Sequence, residues 1–352
     1  MVVYTSTDRI SHFLWNDLMS ICTDSDETDP EIAKLILDYF MELDAGIGQL
    51  IESAGQETTI VFMSDHGFGA SPTRRFYVNV WLEQLGLLQR RKSQGLWDKE
   101  YWRVKIGRNK QLKALLRRIV PQSTQDKVTN SSRSQSMSII DWERTQAYFV
   151  VIYFHVCGIE INLTDSKAQG IVSPGDEYEA IRDTIILAAK ALKDDKNQPI
   201  VDFVARREDV YSGSYIASIP DIILVLNPDY VGFKSMAGTQ LVEPNEPFRE
   251  GEHRQDGIFM ASGPVIEKNE NLSNLDLADV SATILHILDV AVPTSFDGRV
   301  LTEIFSTDYQ DSHPVKIQVL THDLAYAVDG HDQSAEDEAE VERRLRGLGY
   351  MD

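Results

Sequence analysis

The sequence predicts an α/β protein: a parallel-rich sheet with helices on both faces, incomplete at its amino terminus. Three observations carry this. Residues 58–69 read TTIVFMSDHGFG, and a short β-branched and aromatic run of this kind suits a strand buried on both faces of a parallel sheet. Residues 30–54 set Ile32, Leu35, Ile36, Tyr39, Phe40, Leu43, Ile47, Leu50 and Ile51 on one helical stripe, a crossover that delivers the chain to that strand. Residues 2–4 (VVY) read as a strand already under way, with no lead-in.

A chain of 352 residues can bury one large core or two modest ones. Its net charge of −21 opposes any role on a nucleic-acid polymer, whose phosphates need a basic surface. A small anionic substrate stays compatible if cations supply local positive charge. Cys22 and Cys157 make neither a disulfide framework nor a metal-ligand spacing. Both read as small core hydrophobes in a reducing compartment, which sets a cytoplasmic expectation. No apolar run reaches the length of a membrane span, and residues 1–4 lack the features of a signal peptide.

In chain order, residues 1–5 are strand-like, and Ser6, Thr7 and Asp8 are natural helix caps. Ile10, Phe13, Leu14, Leu18 and Met19 follow at helical spacing. Asp8 is thus expected at a strand's carboxyl end, with His12 one turn on and on the same side. The pair reads either as metal ligands or as a capping Asp with an exposed His. An acidic loop over residues 23–29 leads to Pro30 at a helix's first position; Asp38 and Asp44 on that helix read as solvated charges. The strand of residues 59–63 stops at Ser64-Asp65-His66-Gly67. Ligands of open α/β sheets bind beyond the carboxyl ends of strands, so Asp65 and His66 are candidate metal ligands, the alternative being a polar turn.

Residues 76–88 read as an extended entry and a short helix. From 90 to 138 the character changes, and residues 103–118 hold seven Lys and Arg and no acid. This reads as an insertion whose basic patch either steers phosphorylated substrates or a partner, or is a solvated helical face. Strand character returns at 148–156, with His155 a packed or edge side chain. A helix is expected at 177–192, a short strand at Phe203-Val204 and a strongly buried strand at 222–226. Residues 251–257 (GEHRQDG) form a polar, glycine-bounded loop that runs into a strand at 258–260. A helix at 277–290 carries His286 on its structural side. The core then spans residues 1–308, and residues 309–352 form a charged tail ending in a short helix at 336–345.

Asp8, His12, Asp65, His66 and His253 therefore bracket strands, and carboxylate with imidazole suits zinc, manganese or iron. Here the sequence resembles the alkaline phosphatase superfamily, in its type I phosphodiesterase/nucleotide pyrophosphatase-like branch of phosphohydrolases. The stretches that carry the resemblance are TSTDRISHFLW, MSDHGFG, GIEINL with GIVSPGDEYEAIRD, IPDIILVL, GEHRQDGIFMASGP, ADVSATILHIL with VPTSFDGRVL, and the closing LRGLGY.

The resemblance implies an alkaline phosphatase-like fold and two divalent metal ions, zinc or manganese. Asp8, His12 and His253 would hold one ion, Asp65 and His66 the other. It also implies an Asp on the fold's first strand and a Thr or Ser nucleophile soon after it, both upstream of everything here. Thr5, Ser6 and Thr7 belong to the stretch bearing Asp8, so no catalytic residue is assigned. The expectation is a metal-dependent phosphodiesterase or phosphohydrolase chain lacking its nucleophile segment and acting on phosphate-ester small molecules. The alternatives are a non-catalytic truncated scaffold or binding module, and a slow route in which a metal-bound hydroxide replaces the nucleophile. A sheet lacking its first strand would expose an unpaired edge, so self-association through that edge is also expected.

Overall fold

The computed structural model describes residues 1–25, 27–92, 139–153, 155–164, 169–268, 272 and 275–319. They fall into two units: residues 1–70 with the chain from Arg249 onward, and Ser71–Phe248. Most of the expected insertion, including its basic stretch at 103–118, lies outside the described residues, as does the tail beyond residue 319 with its expected helix.

The first unit opens with helices α1 (Ser6–Phe13), α2 (Trp15–Cys22) and α3 (Pro30–Ala54). The start of α3 is set by Asp29, whose side chain accepts from the Glu31 amide at 2.8 Å, with Pro30 at the first position. Gly55 ends it with a φ of 79°, a conformation open to glycine without strain. Strands β1 (Ile60–Met63) and β2 (Gly67–Ala70) follow. The expected strand at residues 1–5 does not form. Val2 and Val3 are exposed (59% and 68%) and make no ladder, and a strand exists only through its ladder bonds. Asp8 accordingly lies in the first turn of α1, where a carboxylate suits the helix dipole, and not at a strand's end.

The second unit comprises β3 (Arg74–Tyr77), α4 (Val78–Gln84), β4 (Ala147–Tyr153), β5 (Val156–Ile161), α5 (Asp176–Ala191), β6 (Val201–Arg206), α6 (Arg207–Val210), β7 (Ile222–Leu226), β8 (Tyr230–Phe233) and β9 (Val242–Pro244). Four of the strands form an antiparallel sheet in the order β4-β5-β7-β6, and three form a mixed one in the order β8-β3-β9. The core here packs Ile181 and Ile185 of α5 with Ile159, Ile222 and Leu224 of the sheet and with Phe76 and Leu82. Each such side chain stabilises the fold by about 1.5–3 kcal/mol. Buried Asn79 ties α4 down, donating to the Lys234 carbonyl and accepting from the Phe149 amide, both at 2.9 Å. Buried Asp221 accepts from the Ile161 amide at 2.7 Å, the Tyr178 hydroxyl at 2.6 Å and Arg207.

The chain then returns to the first unit with β10 (Gly251–Arg254), β11 (Phe259–Ser262), α7 (Leu277–Ile287), β12 (Val292–Pro293), α8 (Thr307–Ser312) and β13 (Ile317–Gln318). Strand β10 pairs antiparallel with β2, setting Gly251 opposite Ala70 and His253 opposite Phe68. Strand β11 pairs antiparallel with β1. A capping box of Asp276 and Asp279 starts α7. Its His286 is buried against Phe305 and Tyr309, a structural role as expected.

The parallel-rich sheet is therefore not observed. Among the described strands β3 with β8 and β12 with β13 run parallel, and a single parallel bridge joins Leu163 to Val172. The apolar run of β1 is not buried on both faces, since Phe62 and Met63 are 36% and 37% exposed, and its ladder partner is the antiparallel β11. The expected loop at 251–257 is a strand over its first four residues. Cys157 is buried in the core, but Cys22 is exposed. Among the described residues no helix is long and apolar enough to cross a membrane.

Candidate metal centre

Three elements of the first unit bring four of the five expected side chains together. Asp8 and His12 sit one turn apart on α1, His66 stands in the turn between β1 and β2, and His253 projects from β10. Close backbone contacts make this possible. A Cβ on Gly251 would lie 2.2 Å from the Ser11 carbonyl oxygen, and one on Gly67 would lie 1.9 Å from that of Asp256. Only glycine permits either approach. Phe68 walls the cluster, its ring 4.8 Å from that of His12 and 5.4 Å from that of His253, and Trp15 stacks behind it.

Hydrogen bonds aim two of the imidazoles. Nδ1 of His12 donates to the Gly251 carbonyl at 2.8 Å, and Nδ1 of His66 to the Gly67 carbonyl at 2.9 Å. A carbonyl can only accept, so in each neutral ring the proton sits on Nδ1 and the lone pair on Nε2. Both Nε2 atoms face Asp8, at 3.6 Å from His12 and 3.7 Å from His66. Nε2 of His253 lies 3.0 Å from Oδ1 of Asp8 and 3.0 Å from Nε2 of His12. Burial pushes the His253 imidazole down to about 4; the neighbouring His66 and His12 rings add to this and Asp8 opposes it.

Asp65 behaves differently. Its side chain is 72% exposed, with Oδ1 3.7 Å from Nε2 of His66. Among the described residues, Asp8, His66 and His253 form a group of three whose ligand atoms all lie within 4.8 Å of one another, and so do His12, Glu252 and His253. Asp65 belongs to neither.

Sequence reasoning missed Glu252, which is 3% exposed and whose carboxyl is pushed up by burial. It also missed Arg249, whose Nη1 lies 3.4 Å from Nε2 of His12. Neither residue carries a spacing signal: Glu252 lies on β10 and Arg249 two residues before it, and each meets His12 of α1 across more than 230 residues of sequence.

The donor set fits a divalent ion. Ligands about 2.0–2.1 Å from a tetrahedral zinc lie about 3.3 Å from one another. The atoms of Asp8, His12 and His253 stand 3.0, 3.0 and 3.6 Å apart. The Nδ1–H bonds to backbone carbonyls are the outer-sphere contacts that orient ligating imidazoles.

A carboxylate–imidazole cluster built from a helix, a turn and a strand defines the class of site. The family model for type I phosphodiesterase/nucleotide pyrophosphatase matches residues 1–254, and the chain belongs to that family. The match takes in all five expected ligand positions. A search of curated proteins finds no match. Among solved structures, human ectonucleotide pyrophosphatase/phosphodiesterase 5 is similar at 15% identity with a TM-score of 0.40, over 85% of this chain and 56% of that one. The murine protein is similar at 13% identity with a TM-score of 0.38, with the same two coverages. An inactive murine variant in complex with AMP gives a TM-score of 0.39 at 13% identity, again over 85% and 56%. The chain thus spans just over half the length of these structures.

Proposed function

We propose that this chain carries the metal-ligand cluster of a divalent-metal-dependent phosphodiester or phosphate-ester hydrolase. Asp8, His12 and His253 would hold one ion, and Asp65 with His66 a second, either zinc or manganese. The observation that carries this reading is the 3.0–3.6 Å spacing of the three ligand atoms from Asp8, His12 and His253.

Two such ions would supply Lewis acidity at the attacking and leaving oxygens of an in-line displacement at phosphorus. The chain's own residues do the rest. The Gly251 and Gly67 carbonyls fix the tautomers of His12 and His66, so that both Nε2 lone pairs face the cluster. Burial keeps His253 neutral, the form that can ligate. Phe68 and Trp15 shield one side of the cluster from water. No residue of this sequence is assigned as the nucleophile. Small phosphate esters are the substrate class, in keeping with the family.

The test is metal analysis of the purified chain together with turnover of an aryl phosphodiester. Bound divalent metal with turnover above that of the free ion supports the hydrolase. Metal bound without turnover favours a binding module. Absence of bound metal refutes both. Turnover that survives Thr5→Ala, Ser6→Ala and Thr7→Ala would point to metal-bound hydroxide as the attacking group.

A further inference from the structure

We propose that Arg249 grips the phosphoryl anion at the metal centre, an inference that rests on the metal reading above and names the group that recognises the substrate. Its Nη1 stands 3.4 Å from Nε2 of His12, and its guanidinium carbon lies 5.9 Å from the centroid of the Phe13 ring. Nδ1 of His12 is committed to the Gly251 carbonyl, so the lone pair on Nε2 is all that a neutral His12 offers the cluster. That lone pair is the one a metal ion would take. Guanidinium and ion therefore compete for a single atom.

Once the ion takes Nε2, two positive charges face each other across a few ångströms. Arginine cannot relieve this by losing its proton. An anion that touches both cations can. A planar guanidinium presents parallel N–H donors matched to two oxygens of a phosphoryl group, whereas a lysine would offer only a point charge. Two acids lie nearby, and Glu252 already feels the charge of Arg249, though each is also engaged with a backbone amide. Glu250 accepts from the Asn16 amide at 3.1 Å, and Glu252 is buried on β10 and accepts from the amide of His253. In a chain of net charge −21, a cation held at the lip of a cluster of metal-ligand type is placed to recognise negative charge.

Two titrations on the full chain test this, each followed by calorimetry. One adds zinc or manganese to phosphate-free protein; the other adds inorganic phosphate to metal-loaded protein. Arg249→Ala should bind metal as tightly as the parent or more tightly, because a competitor for His12 is gone. The same variant should bind phosphate about ten- to a hundred-fold more weakly, the scale of a charged hydrogen-bond pair. Arg249→Lys keeps the charge but not the fork, and should recover only part of that loss. Phosphate affinity unchanged in Arg249→Ala overturns the proposal. So does a joint fall in metal affinity, phosphate affinity and melting temperature, which would make Arg249 a packing residue. A parent chain that binds no metal refutes the metal reading before any variant is made, and the proposal with it.

Discussion

The imidazoles of His66 and His253 lie face to face, with ring centroids 3.6 Å apart and planes 17° from parallel. Two imidazolium ions would repel strongly in that arrangement. Burial, reinforced by His66, holds His253 neutral down to about pH 4. His253 is thus kept in the state that donates a lone pair to a metal. His253 also belongs to both groups of candidate ligands. His253→Ala should therefore cause the largest loss of bound metal of any single change. The affinity should fall by more than the roughly ten- to hundred-fold typical of outer-sphere changes. Elemental analysis after dialysis reads this directly, and unchanged content would remove the cluster from consideration as a metal centre.

Asp8 and Asp65 should separate in a stoichiometry experiment. Asp8 is within 3.0–3.7 Å of three imidazole nitrogens, while Asp65 is mostly exposed and approaches His66 alone. Asp8→Ala should abolish the tighter binding event in a metal titration. Asp65→Ala should spare that event and weaken only a second one. Equal losses from the two variants would contradict the two-site arrangement.

Glycine substitutions should have opposite signs in two places. At Gly67 an added Cβ meets the Asp256 carbonyl oxygen at 1.9 Å, a backbone contact that cannot simply swing away. Gly67→Ala should cost about 1–3 kcal/mol, the usual range for overpacking, and should weaken metal binding by displacing His66. At Gly48, inside α3, nothing lies within 4 Å of the added atom. Gly48→Ala should stabilise the protein by about 1 kcal/mol through helix propensity alone. Denaturant midpoints of the two variants check both signs.

In the second unit, Asp221→Ala removes a buried acceptor from the Ile161 amide, the Tyr178 hydroxyl and Arg207. Taking the acceptor from the buried Ile161 amide, and one partner each from half-buried Tyr178 and Arg207, should cost about 1–3 kcal/mol. The loss would appear as a lower denaturant midpoint with little change in slope.

Acid sensitivity should trace in part to Asp194. Burial opposes its ionisation, yet the Gln198 amide and the Arg74 guanidinium, with the Tyr230 hydroxyl and the Lys196 amide, hold its carboxyl well below the ordinary value of 3.8. A depressed carboxylate adds stability above its unfolded pKa, and that stability is lost as pH falls through the folded one. Asp194→Asn should therefore flatten the decline in stability below pH 3.8 while lowering stability at neutral pH. A decline of undiminished steepness in the variant would assign the acid limb to other groups.

Legibility differed by element for physical reasons. Helix α3 and strand β7 could be read because Pro30, Gly55 and an unbroken IILVL run are local signals. Asp8, His12, His66 and His253 were found in the sequence, and the structure brings them together; Asp65 stands beside His66 but outside the groups of three. Pairing direction was not legible, because the partner of β1 is β11, a segment remote in sequence. Strands β2 and β10 were hidden by their glycines, which signal turns by composition but here let backbones approach closely. Arg249 and Glu252 join the cluster only through tertiary contact, so no spacing could have marked them.

The rung that joins Ala70 to Gly251 has a topological consequence. The chain leaves the first unit after Ala70 and returns to it at Arg249, two residues before the ladder partner of Ala70. Splicing a two-residue reverse turn across that gap would leave the four clustered side chains on a contiguous scaffold. A miniature site made this way could be diversified on its own.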